Sequence, residues 1–135
     1  MNLANVMDEI AGRLSTIEGL RVFAWPVGTL TPPGAVVGYP ADGQYDETYG
    51  RGADSMTIPV VIVVGRVSER ASRDLLAAYV DGSGARSIKT VLETGTYTTF
   101  DTIRVQWPDF DVYTVAGTDY LSVVFDVSVF GKGSS

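Results

Sequence analysis

The chain contains no histidine and no cysteine among its 135 residues. The first absence removes the side chain that titrates near neutral pH and serves most often as general base or metal ligand. The second removes the thiolate nucleophile, thiolate metal sites and any disulfide framework. Charge is also sparse: 19% of residues are charged, and ten Lys and Arg stand against sixteen Asp and Glu, a net charge of −6. Such a surface does not gather phosphate backbones, whose binding comes from Lys and Arg displacing counterions. Stable nucleic-acid binding is therefore not expected. The strongly apolar run Val60 to Val64 is far too short to cross a bilayer. The opening Met1-Asn2-Leu3-Ala4-Asn5 lacks the basic and apolar regions of a secretory signal. These absences lead us to expect no membrane partner, no metal, no cofactor and synthesis in a reducing cytoplasm.

What is present suits one domain over 1–131, followed by a flexible tail at 132–135. With 45% apolar residues, a chain of this length buries roughly 68–70% of its unfolded surface and needs no covalent staple. The charge is uneven. Residues 40–54 carry four acids (Asp42, Asp46, Glu47, Asp54) against Arg51, and 100–130 carry five Asp against Arg104.

Apolar periodicity sets the expected elements. Leu3, Val6, Met7, Ile10, Leu14 and Ile17 recur at helical spacing, with Gly19 as the stop. Leu20–Trp25 and Ala35–Tyr39 read as short strands, expected to be antiparallel neighbours. Residues 41–54 read as one long irregular loop. Thr57–Val64 is the most apolar strand, covered on both faces, and Pro59 predicts a free edge or a bulge near its start. Ser68 is placed as the N-cap of a helix to Val80, with Leu75, Leu76, Tyr79 and Val80 on its apolar face. A second short helix is expected over 85–93.

In the last third, Leu121, Val123, Phe125, Val127 and Val129 alternate with less apolar residues, the pattern of a half-buried strand. Its partner runs from Thr102 to Tyr113, with Ile103, Val105 and Trp107 on one face. Pro108 predicts a bulge or bend, and Ala116-Gly117-Thr118 the turn. The expected fold is α+β: a mainly antiparallel twisted sheet carrying an N-terminal helix and two short helices, and ending in a hairpin.

The search for chemistry is unrewarding. Asp109 and Asp111 share a strand face, as an acid–base pair can require. Without a base, nucleophile or third partner they read as solvated carboxylates. Asp42 to Glu47 has oxygen ligands but not the alternating pattern of an EF-hand loop. Gly50-Arg51-Gly52 lacks the Lys and hydroxyl of a phosphate-binding loop. Ser68, Ser72 and Ser87 have no His to activate them and read as caps or solvated positions.

Surface recognition is the better prospect. The long loop offers Gln44, Tyr45, Asp46, Glu47, Tyr49 and Arg51 to a partner. Arg66, Arg70 and Arg73 form a basic stripe, either solvated beside Glu69 and Asp74 or complementary to the acidic loop or hairpin of a neighbouring subunit. Phe110, Tyr113, Val124 and Phe130 are assigned to the non-core face of the hairpin, for burial between subunits or under a helix of the same chain.

The element order helix, strand, strand, loop, strand, helix, helix, strand, strand resembles that of the tail terminator proteins of long-tailed, non-contractile phages. Leu3–Ile17 is similar to the opening helix, Ala41–Asp54 to the long loop and Thr102–Phe130 to the closing hairpin. The resemblance implies a non-enzymatic protomer of a hexameric ring. That ring sits at the head-proximal end of the virion tail, caps the tail tube, stops its polymerisation and receives the head-side connector, while DNA passes through without specific binding. Neck or tube proteins are the nearest alternatives. A small hydrolase built on Asp109 and Asp111 and an adaptor that binds a peptide along the sheet edge are more distant ones.

Overall fold

A computed structural model of the chain describes residues 3–17, 19–23, 33–39, 42–44, 54–84, 86–98, 100–115 and 117–131. The elements are α1 (Leu3–Leu14), β1 (Arg21–Phe23), β2 (Gly34–Val37), β3 (Asp42–Gln44), β4 (Asp54–Arg66), α2 (Arg70–Val80), α3 (Ile88–Glu93), β5 (Thr102–Val105), β6 (Asp109–Val115) and β7 (Thr118–Gly131). The fold is α+β, with a mixed but mostly antiparallel open sheet and three helices among the described residues. Strand order is β1-β2-β4-β7-β5, with β3 also beside β4 and β6 also beside β7.

β4 and β7, of 13 and 14 residues, form the spine of the sheet. Their register pairs Ile58 with Val127, Val60 with Phe125 and Ile62 with Val123. Side chains alternate across a strand, so these six share one face, and all are buried. The stripe of α1 (Val6, Met7, Ile10, Ala11, Leu14) joins them in a single core with Tyr79 of α2 and Ile88, Val91 and Leu92 of α3. The opposite face carries Val36, Val61 and Val124 in a row, half-buried and outside that core.

Four expectations need correction. β1 and β2 are parallel, Val22 lying beside Ala35. The connection over 24–33 is long enough to return the chain, so nearness in sequence does not force a hairpin. The stretch 41–54 is not wholly irregular, because β3 pairs antiparallel with the start of β4. β4 is central. One of its edges is shared between β2, which ends opposite Val60, and β3, which begins opposite Thr57. The Pro59 carbonyl accepts from the Gly38 N–H at 2.8 Å on that side, so the missing N–H of Pro59 falls in the gap between β2 and β3. Finally, Glu69 and not Ser68 caps α2, with no side-chain hydrogen bond. The Glu69 N–H donates to the Arg66 carbonyl at 3.1 Å, a turn that delays the helix by one residue.

Local chemistry explains the remaining ends. The hydroxyls of Ser15 and Thr16 donate back to the carbonyls of Gly12 and Arg13, each at 2.7 Å, and close α1 before Ile17. Gly19 then adopts φ +80, a conformation glycine takes without strain. Ser87 caps α3 by accepting from the Thr90 N–H at 3.2 Å. Arg13 ties α1 to α3 by donating from Nε to the Val91 carbonyl at 2.7 Å.

Tyr97 stacks on Phe100 with ring centroids 4.4 Å apart and donates its hydroxyl to the Leu92 carbonyl at 2.6 Å. Burial, partly offset by Arg13 and reinforced by Glu9, pushes that hydroxyl up to about 12. An unfolded tyrosine ionises near pH ~10. The folded group holds its proton more tightly, so its contribution is complete below pH ~10 and is lost as the pH rises toward 12. Comparing unfolding of the parent and Tyr97→Phe across that range should give a stability difference that is flat below pH ~10 and falls above it. A difference that stays flat throughout would show that the hydroxyl is not buried.

Candidate functional site

Among the described residues β6 has no substantial helix contact, and a bulge decides which of its side chains face that side. Val105 pairs with Val127, but Asp109 pairs with Val124. Residues 106–108 thus oppose only 125 and 126, which inserts one extra residue where Pro108 was expected to disturb the strand. The insertion inverts the alternation. Ile103 and Val105 lie on the helix side before it, and Phe110 and Val112 lie on that side after it, beside Val123 and Leu121. Phe110 is therefore on the face opposite to its expected one. Trp107, expected in line with Ile103 and Val105, sits in the bulge itself.

α1 packs on β1 and β2, α2 on β4 and β7, and α3 on β5, whereas among the described residues no helix packs substantially on β6. Trp107 is consequently 76% exposed, Phe110 53% and Val112 50%. The two aromatic rings meet edge-on with centroids 6.2 Å apart. Together the three side chains present roughly 300–400 Å² of apolar surface, the size of the largest patch on a typical monomer and often a functional one.

The outer backbone edge of β6, unpaired among the described residues, is guarded at Val112. A two-residue turn, with Gly117 at φ +80, joins Val115 to Thr118. It makes that pair hydrogen-bonded and turns the N–H groups of Thr114, Val112 and Phe110 outward. Val112 donates instead to the Asp111 carboxylate at 2.8 Å. On β5 the Val105 N–H donates to Glu93 Oε2 at 3.0 Å. Burial raises the pKa of Glu93, but its hydrogen bonds to Lys89 and Val105, with the charges of Lys89 and Arg104, outweigh that and hold it below its ordinary value. Carboxylates thus occupy donors that an added strand would need. This disfavours peptide binding by strand addition and leaves the apolar side chains as the attractive feature.

The other predicted residues are dispersed. Gln44 ends β3 opposite Ser55, while Tyr45, Asp46, Glu47, Tyr49 and Arg51 lie outside the described residues, and with them half of the Asp42–Glu47 stretch weighed as a cation site. Val124 and Phe130 are half-buried on the sheet face away from the helices, and the backbone of Tyr113 falls on that same face. Asp109 and Asp111 are exposed on β6 and are not among the residues lining the cleft described below. Among the described residues no group of three or more His, Cys, Asp or Glu could hold a metal ion, and no helix is long and apolar enough to cross a membrane.

Arg66 ends β4, and Arg70 and Arg73 lie on α2, all exposed. Arg73 bonds Asp74 at 3.0 Å. Next to this stripe is a cleft of about 410 Å³, lined by Pro33, Val64, Gly65, Arg66, Glu69, Ala71, Ser72, Leu75 and Tyr120. Ser72, expected to be a cap or a solvated residue, is only 4% exposed. It packs against Gly65, where a Cβ would come within 2.3 Å of the Ser72 Oγ. Gly65 follows a register shift in β4, between Val63 and Gly65, a feature without a local sequence signal.

Compared with protein-family models and with curated proteins, the chain matches none.

Proposed function

We propose that the protein is a phage tail terminator, a subunit of a hexameric ring that caps the completed tail tube, stops its polymerisation and offers a docking surface to the head-side connector. The observation that carries this reading is the helix-side face of β6, uncovered among the described residues, where Trp107, Phe110 and Val112 stand in solvent on a strand whose outward Val112 N–H is already taken by Asp111. A side-chain interface of that kind suits a neighbouring copy better than an added peptide strand. Contacts of this type repeat head to tail and close into a ring when the rotation divides a full turn.

Charge supports the role. Six copies at −6 each sum to −36, so an acidic channel repels DNA and lets it pass without adhering. The partners in this reading are further copies of the chain, the tail tube protein and the connector. Its place is the head-proximal end of the virion tail, after synthesis in the host cytoplasm. A tube subunit or head–tail joining protein would use the same apolar shelf, but tube subunits polymerise without other components.

Electron microscopy and mass measurement of the purified protein, alone and with tube protein, test the proposal. Six-fold annuli are expected, free or on tube ends. A strict monomer in both conditions overturns it, and filaments of the protein alone transfer it to the tube subunits.

The segment between β3 and β4 gives a second test. Replacing 45–52 by Asn-Gly leaves four residues, these two with Ala53 and Asp54, between Gln44 and Ser55, a common hairpin-loop length that keeps their pairing. The variant should fold with Tm within a few degrees of the parent and bind tube ends at least tenfold more weakly. Undiminished capping would remove the segment from the docking surface.

A further inference from the structure

The cleft at the start of α2 is the second place where the fold leaves something unsatisfied. α2 has no side-chain cap, so the N–H groups of Arg70 and Ala71 keep the free donors that every helix leaves in its first turn. Ser72, one residue later, spends its own N–H on the Glu69 carbonyl at 3.1 Å. Its hydroxyl is buried, and among the described residues it has no hydrogen-bond partner. A buried hydroxyl without a partner is destabilising. Here the hydroxyl packs against Gly65, and Gly65, Arg66 and Ser72 together line an open cleft.

We propose that this cleft binds a monocarboxylate with a short apolar body, its oxygens taking the Ser72 hydroxyl, the first N–H groups of α2 and Arg66. Charge selects the class. Helix N-termini favour anions, but Glu69 also lines the cleft, so its ionised side chains, Arg66 and Glu69, cancel. A single carboxylate is accommodated, while a polyanion such as a nucleic-acid backbone meets repulsion from Glu69 and from the chain's net charge of −6. The walls supplied by Val64, Ala71, Leu75 and Tyr120 are apolar or aromatic, and they suit a short hydrocarbon rather than a sugar. The carboxylate has two sources, a free small acid or an acidic side chain of a second copy. The second source rests on the ring reading above, and the first does not.

The test is titration of the isotopically labelled full chain with butyrate, followed by amide shifts. Saturable shifts at Gly65, Ala71 and Ser72 are expected. Arg66→Gln should weaken binding at least tenfold, and Arg73→Gln, whose partner is Asp74 outside the cleft, should leave it unchanged. Ser72→Ala should weaken binding without lowering Tm, because it deletes a buried hydroxyl that nothing satisfies, whereas a merely structural serine would lower it. Butylamine should not bind. If butyrate is silent but Arg66→Gln abolishes ring assembly of an otherwise folded protein, the carboxylate comes from a neighbouring copy. No shift with butyrate together with unaltered assembly in Arg66→Gln overturns the proposal. Butyrate binding to a strict monomer overturns the ring and leaves the cleft standing.

Discussion

Replacing Phe125 with alanine is expected to cost about 3–5 kcal/mol and to lower Tm by roughly 10–20 °C. Phe125 is 2% exposed and sits across from Val60 at the centre of the β4–β7 spine. Its neighbours along that face, Val123 and Val127 on β7 and Ile58 and Ile62 on β4, are fully buried. Truncation leaves a void lined by β-branched side chains on paired strands, which have little freedom to collapse into it. Domains of this kind are held by about 5–15 kcal/mol, so the variant should still fold, with a much smaller reserve. Val124→Ala is the matched control. Val124 is the next residue on the same strand, but it is half-buried on the other face and outside the core, and should cost about 1 kcal/mol. Equal losses for the two variants would mean that the sheet is covered equally on both faces. A shift near zero for Phe125→Ala would place that ring outside the core.

The contrast between those neighbours was visible in the sequence, because a period of two held over Leu121–Phe130 assigns one face to the core whatever the strand pairs with. The stripe of α1 was legible for the same reason. Partner identity was not. Nothing in Arg21–Phe23 states that its neighbour Gly34–Val37 runs in the same direction, and three residues carry too little pattern to fix a direction. The bulge at 106–108 was half legible: Pro108 marked a disturbance, but only pairing against β7 counts three residues against two. That count decides which face Phe110 occupies, so a local irregularity moved an inferred contact residue to the opposite side of the sheet. Ser72 was missed for a related reason. Its burial depends on Gly65, seven positions earlier and on a different element, and the α2 sequence alone places it on a helix with no hint of what it meets.

The bulge also links fold to proposed function. Without the extra residue, Phe110 and Val112 would fall on the face of Val124, beside half-buried valines, and Asp109 and Asp111 would point to the helix side. With it, acids and apolar side chains exchange faces, and the apolar ones emerge where, among the described residues, no helix packs substantially on β6. A strand that buried Phe110 within its own chain would need a further helix or loop above it. In the proposed ring a second copy would supply such a cover, and only on assembly, so that isolated subunits would bear an exposed patch small enough to stay dispersed.

Phe110→Asp combined with Trp107→Ser should therefore abolish assembly without unfolding the protomer. Both side chains are more than half exposed, and surface substitutions of that kind usually alter stability by about 0.5 kcal/mol or less. At an interface the same positions act differently: buried aromatic anchors carry much of the binding energy, on the order of 2 kcal/mol or more each. Aspartate at 110 would bring a charge without a partner into the contact and would stand next to Asp109 and Asp111 on an already acidic strand. The proposed ring would repeat the contact at each of six joints, so even a modest loss per joint would remove the assembled form. Circular dichroism and Tm should match the parent, while light scattering should give the mass of a single subunit and microscopy should show no annuli and no capped tubes. Intact rings from this variant would exclude the β6 shelf as the joint and would turn attention to the row of half-buried valines on the opposite face of the sheet.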